Sequence, residues 1–222
     1  ANGIAVIMDM VLNHAFGQNA MVQMYFNKTS NKPATNSPWF NPDATHPFNV
    51  GYDFNHESQY TKDFVDTVCS YWLKEYHVDG YRFDLSKGFT QTNNPSNVGA
   101  WSAFDQSRIN ILSRMATEIW KAKSSAYVIL EHFADSQEET VLANQGMLLW
   151  GNLTGTYSSA LNGNSQSDLS GAKRVSYVNY MESHDEERQL VELLNKGASS
   201  GSYNIKELDI ALNRAKLGAA FF

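Results

Sequence analysis

The apolar positions of this chain follow two periods in alternation. Residues 4–8, Ile-Ala-Val-Ile-Met, form an unbroken apolar run that stops at Asp9, the pattern of a strand buried on both faces in a parallel sheet. Phe64, Val65, Val68, Cys69, Trp72, Leu73 and Tyr76 then recur at i, i+1, i+4, i+5, which lays one apolar stripe along an amphipathic helix. A strand near Val78–Phe83 follows almost at once. Phe104, Ile111, Leu112, Met115 and Ile119 mark a second helix, and AYVILE a further strand. Beyond it the pattern predicts a short helix after Gln137, a strand in MLLW at 147–150, a Gly/Ser/Asn-rich stretch to Lys173, a strand in SYVNYM and a final helix from Lys206. Strand and helix in turn give a parallel α/β sheet, either doubly wound or closed into a barrel.

Between about residues 15 and 56 this beat lapses. The stretch is rich in Asn, Ser and Thr, holds four of the five prolines and has no helical periodicity, so it reads as a long functional loop or a small subdomain.

Four of the strand-like segments end in charge: GIAVIMDMVLNH, VDGYRFDLSKG, YVILEH and VNYMESHD. Together they deliver Asp84, Glu131 and Asp185, with His14, Arg82 and His184 nearby. A polar group at the end of a buried strand costs free energy unless it is paired or used. Each acid also has a bland explanation: Asp84 pairs with Arg82, Glu131 faces solvent, and Asp185 caps a helix near Glu186. The recurrence favours one shared site, as in a barrel whose active site collects a loop from each strand. No glycine-rich phosphate loop follows the first strand, which counts against a doubly wound nucleotide fold. Five strands are legible where a complete barrel needs eight, and no internal repeat supplies the rest.

Composition narrows the partners. A chain of 222 residues, 42% hydrophobic and 18% charged, is long enough for one large core. Its net charge of −6, with no long basic run, offers no footprint for nucleic acid or an anionic membrane. No apolar run reaches the length of a membrane span, and no basic-then-apolar leader opens the chain. Five Trp and eleven Tyr suit stacking on sugar rings as well as packing. The single cysteine, Cys69, excludes an intrachain disulfide and sits in an apolar stripe as a structural thiol. Neither His-x-His nor His-Glu-x-x-His ligand spacing occurs, which argues against a metal-dependent hydrolase. Three acids on three strand ends permit glycoside hydrolysis, in which one carboxyl protonates the leaving oxygen and another attacks the sugar.

At these residues the chain resembles the α-amylase superfamily of glycoside hydrolases. DMVLNH is similar to the first of that family's four motifs, GYRFDLSKG to the second, ILEH to the third and YMESHD to the fourth, in order and with similar spacing. The resemblance implies a (β/α)8 barrel, here incomplete at about strands three to seven. Residues 1–14 and 57–222 would form the catalytic part, and 15–56 the family's inserted second domain. It implies Asp84 as nucleophile, Glu131 as general acid and base, and Asp185 as the third acid. Arg82 would keep the nucleophile ionised, while His14, His184 and Lys87 bind sugar. Asp53, in GYDFNHES, stands where family members hold calcium with Asn13 and a carbonyl such as that of Gly88. No organic cofactor is implied.

Two departures touch specificity: Gly88 stands where the family usually has His after the lysine, and Ser183 where Asn is common. A barrel lacking strands one, two and eight would expose open edges, so a fragment of a longer enzyme, or self-association through those edges, is expected. The implied activity is retaining, endo-acting hydrolysis of α-1,4 links in an α-glucan oligo- or polysaccharide. A transglycosylase, or a glucan-binding piece without turnover, keeps the same residues. Cellular location is not legible, and analogy points to a secreted or periplasmic enzyme.

Overall fold

A computed structural model describes residues 3–48, 50–169 and 175–222. The chain forms two compact units, residues 1–149 and 150–222.

In the first unit, strands β1 (Ile7–Met10), β2 (Gly80–Phe83), β3 (Tyr127–Leu130) and the start of β4 (Leu148–Asn152) lie in that order. All pair in parallel, with Asp9 opposite Arg82, Phe83 opposite Leu130 and Leu130 opposite Leu149. Helices α1 (Gln59–Glu75), α2 (Gln106–Ala122) and α3 (Ser136–Asn144) connect or follow these strands, the α/β alternation expected. Every residue of β2 is buried, because it is paired on both sides. Gly80 is required there: a Cβ would stand 2.3 Å from the Tyr127 carbonyl oxygen.

The first strand departs from expectation. It begins at Ile7 rather than Ile4, Asp9 is exposed, and Ile4 and Val6 lie largely in solvent. Among the described residues β1 pairs only with β2, so the apolar run read as a strand buried on both faces lies at an edge of the sheet.

Helix α2 starts at Asp105, whose carboxylate accepts the Ser107 and Arg108 amides at 2.9 and 3.3 Å. It buries Ile109, Leu112, Met115, Ala116 and Ile119. Phe104 precedes this cap and is exposed, so it is not part of the stripe. In α1 the buried line is narrower than the sequence stripe: Val65, Cys69 and Leu73 are covered, while Tyr76 is exposed.

Residues 15–56 carry short structure that a periodicity window of a dozen residues does not register. Asn19 caps a five-residue helix, Ala20–Met24, and His14–Ala15 pairs antiparallel with Tyr52–Asp53. Ala15, Val22, Phe40 and Phe54 form a small core under Trp39 and Tyr52.

The second unit holds the end of β4, helix α4 (Thr154–Leu161), strand β5 (Tyr177–Tyr180), and helices α5 (Gln189–Lys196) and α6 (Leu208–Phe221). Leu161, Leu193, Ile205 and Ala211 make its core. Helix α4 lies in the stretch read only as Gly/Ser/Asn-rich, since Tyr157 and Leu161 alone supply its large buried side chains. The end of that stretch, 170–173, lies outside the described residues. No described helix is long and apolar enough to cross a membrane.

Candidate active site

The site begins with strand alternation. Arg82 and Asp84 are two residues apart and share a face, and Arg82 Nη1 donates to Asp84 Oδ1 at 2.8 Å. The same nitrogen donates to Asp9 Oδ1 at 2.8 Å, since Asp9 is its partner in the β1–β2 register. Nη2 lies 2.9 Å from Glu131 Oε1. One guanidinium, 4% exposed, therefore ties the ends of three strands. Burial works against its charge, but the hydrogen bond it donates to Asp9 and the fields of Glu131, Asp9 and Asp84 outweigh it and raise the Arg82 pKa.

Glu131 is buried rather than facing solvent. Its amide continues the ladder to the Phe83 carbonyl at 3.0 Å, and its second carboxylate oxygen accepts the Leu85 amide at 2.8 Å. Leu85 adopts φ +43°, a left-handed conformation costly for a branched residue and typical of functional turns. Asp84 is more open than Glu131. Two carboxylates fixed by one cation can serve as nucleophile and proton donor.

His14 is half-buried, and burial lowers its pKa against the opposing pull of the Asp84 carboxylate. Lys87 is neither free nor exposed. Its Nζ donates to the Phe133 carbonyl at 2.9 Å and to Ser102 Oγ at 3.1 Å, 4.2 Å above the Trp101 ring. Burial, with Arg108 adding to it, pushes the Lys87 pKa down.

Asn13, Asp53 and Gly88 lie in a second cluster. Asn13 Oδ1 is buried with no hydrogen-bond partner; so is Asp53 Oδ1, with His46 Nε2 3.4 Å away. A Cβ on Gly88 would stand 2.0 Å from Asn13 Oδ1. No group of three or more His, Cys, Asp or Glu side chains able to hold a metal gathers among the described residues. An ion here would rest on amide and carbonyl oxygens beside one carboxylate, a donor set that fits calcium.

His184 and Asp185 belong to the second unit. Both are exposed, and His184 Nε2 lies 3.5 Å from Asp185 Oδ1. Asp185 caps no helix: α5 starts at Gln189, whose amide is taken by Glu182 Oε1 at 2.7 Å. The first unit thus gathers Arg82, Asp84 and Glu131, with His14 within electrostatic reach. Asp9 was missed as a member of the site, although it opens the motif DMVLNH. His46 gave no sequence signal.

No protein-family model matches the chain. It is 32% identical over 87 residues to pullulanase of Bacillus subtilis (strain 168), covering 38% of this chain and 11% of that protein. It is 34% identical over 94 residues to the chloroplastic isoamylase SU1 of Zea mays, covering 40% and 11%. Among solved structures, an α-amylase of Anoxybacillus superposes with TM-score 0.64 at 17% identity over 98% of this chain and 46% of that one. A pullulanase of Anoxybacillus sp. LM18-11, complexed with maltotetraose, gives 0.60 at 19% identity over 98% and 32%. These relatives and neighbours are members of the α-amylase superfamily of glycoside hydrolases, and the chain is similar to a part of each. The matched stretches span about a tenth of these curated superfamily members' length. The motifs that resemble the superfamily's first three fall at the ends of β1, β2 and β3, around Arg82.

Proposed function

We propose that this protein hydrolyses α-glucans with retention, cutting internal α-1,4 links through a covalent glycosyl-enzyme. The observation that carries the reading is Arg82 holding Asp84 and Glu131 together at adjacent strand ends. Asp84 attacks the anomeric carbon as Glu131 gives its proton to the departing glycosidic oxygen. Glu131 then takes a proton from water, which attacks the same carbon and releases Asp84. Arg82 holds the Asp84 carboxylate in place between turnovers. In this reading Asp185 binds the sugar hydroxyls as the third acid, with His14 and His184 beside the bond that breaks. Lys87 binds the sugar on the leaving-group side. Relatives named pullulanase and isoamylase bring α-1,6 links into the same reading, and a pullulanase neighbour holds maltotetraose. The five strands are read as the third to seventh of a (β/α)8 barrel, with 15–56 as the inserted domain. Calcium would be held by Asn13, Asp53 and a Gly88 carbonyl, and would tie that domain to β1.

The test is release of reducing ends from amylose and from pullulan by the wild type and by Glu131→Gln. The variant is expected to lose about 10³-fold in rate, and NMR of the first product should show the α anomer. Equal rates in the two proteins, or a β anomer, would sink the reading.

A further inference from the structure

A buried network behind the site is not used by the chemistry above. Glu138, in the first turn of α3, accepts from Arg108 Nε at 2.5 Å, Arg108 Nη2 at 2.7 Å and the Asp105 amide at 2.8 Å. His132 Nε2 lies 2.8 Å from its Oε1. Arg108, Glu138 and His132 are each 0–1% exposed. Burial disfavours the Glu138 charge, but the hydrogen bonds from His132 and Arg108 outweigh it and hold its pKa down. An ionised carboxylate only accepts, so His132 carries its proton on Nε2, and the other face of the ring addresses Ser86. Ser86 Oγ stands 3.0 Å from both His132 Nδ1 and the Glu131 carbonyl oxygen, and the Ser86 amide donates to that oxygen at 2.9 Å. At its other end Arg108 donates to the carbonyls of Trp101 at 2.9 Å, Ala103 at 3.1 Å and Lys87 at 3.4 Å.

A buried ion pair is weak evidence of stabilisation, and this one ends on backbone rather than on the sheet core. Both loops it reaches carry a reacting acid: residues 85–88 follow Asp84, and 132–133 follow Glu131. We propose that Arg108, Glu138 and His132 form a positioning unit which, through Ser86, locks the Glu131 main chain against the Asp84 loop and so sets the spacing of the two carboxylates. Its catalytic consequence rests on the glycosidase reading; its structural consequence does not. Near-attack geometry is sensitive to displacements of about 1 Å, which a cross-tie of this kind would prevent.

The experiment pairs amide hydrogen exchange with kinetics on maltotetraose. Glu138→Gln is the direct variant, and Ser86→Ala a mild one that leaves the buried ion pair intact. In Ser86→Ala the Leu85 and Ser86 amides should exchange about tenfold faster, one lost hydrogen bond's worth. Amides of Phe83 and Leu130 should stay protected, and kcat should fall with KM unchanged. Ser86→Thr, which restores the hydroxyl, should recover both. Unchanged exchange at 85 and 86, or an equal loss across β2 and β3, would overturn the positioning role. A wild type that leaves α-glucans intact would sink the glycosidase reading instead, and the exchange result would still decide this one.

Discussion

Arg82 and Glu131 meet across neighbouring parallel strands, Nη2 2.9 Å from Oε1, while the other Glu131 oxygen accepts the Leu85 amide at 2.8 Å. The acid is thereby held at both oxygens, by a side chain of β2 and by the turn that β2 leads into. Its rotamer is set by the strand pairing rather than by its own loop.

Replacing Arg82 should therefore cost more than any single acid paired with it. Arg82→Met leaves three carboxylates facing one another without a cation, a loss of roughly 3 kcal/mol by analogy with broken buried pairs. Asp9→Asn removes a partner whose side chain is 60% exposed, so less than about 1 kcal/mol is expected. Urea unfolding at neutral pH measures both, and equal costs would refute a central role for Arg82.

Acid should destabilise the fold through its buried imidazoles. His56 is held by the Leu12 carbonyl, 2.8 Å from its Nε2, and stacks on Phe89 with ring centroids 3.8 Å apart. Burial lowers its pKa from the usual 6.5 to about 4. Between those values the unfolded chain binds a proton that the folded chain does not, so stability is lost as pH falls from 6.5 toward 4. One such group accounts for about 3 kcal/mol across that window. His14 and His132, also lowered by burial, act in the same direction. Unfolding free energies at pH 7 and 4.5 should show this slope, and His56→Gln should make it shallower.

Cys69 should be silent toward thiol reagents. It is 1% exposed, and burial pushes its pKa up to about 12, so the reactive thiolate is scarce at neutral pH. A disulfide reagent should label the native protein only on addition of denaturant, and rapid native labelling would contradict the packing of α1.

Gly88→Ala should disturb the Asn13–Asp53 cluster, because the new methyl would meet Asn13 Oδ1 at 2.0 Å. A loss of about 1–3 kcal/mol is expected from such overpacking. If calcium binds there, adding it to chelator-treated wild type raises the melting temperature, and Asn13→Ala abolishes the rise. No change on addition to wild type would count against the ion.

Much of the fold follows from local pattern. The alternation of periods located the five strands β1 to β5 and the helix that begins two residues after Lys206, because an amphipathic stripe or an apolar run is a property of contiguous residues. Short elements escaped: α4 buries only a few side chains from a Gly/Ser/Asn-rich stretch, and Ala20–Met24 is too brief to show a period. Of the site, Asp84 and Glu131 could be read as acids at strand ends, with Arg82 beside them.

Their partners could not be read in this way. That Asp9 shares Arg82 depends on the β1–β2 register. Lys87 donates to the Phe133 carbonyl and to Ser102 Oγ, and His46 reaches Asp53. Side-chain type and period are written along the chain, so the kinds of element and the chemistry at their ends were legible. Burial, pairing and charge neutralisation arise from residues that are distant in sequence, and only the packed structure brings them within a few ångströms.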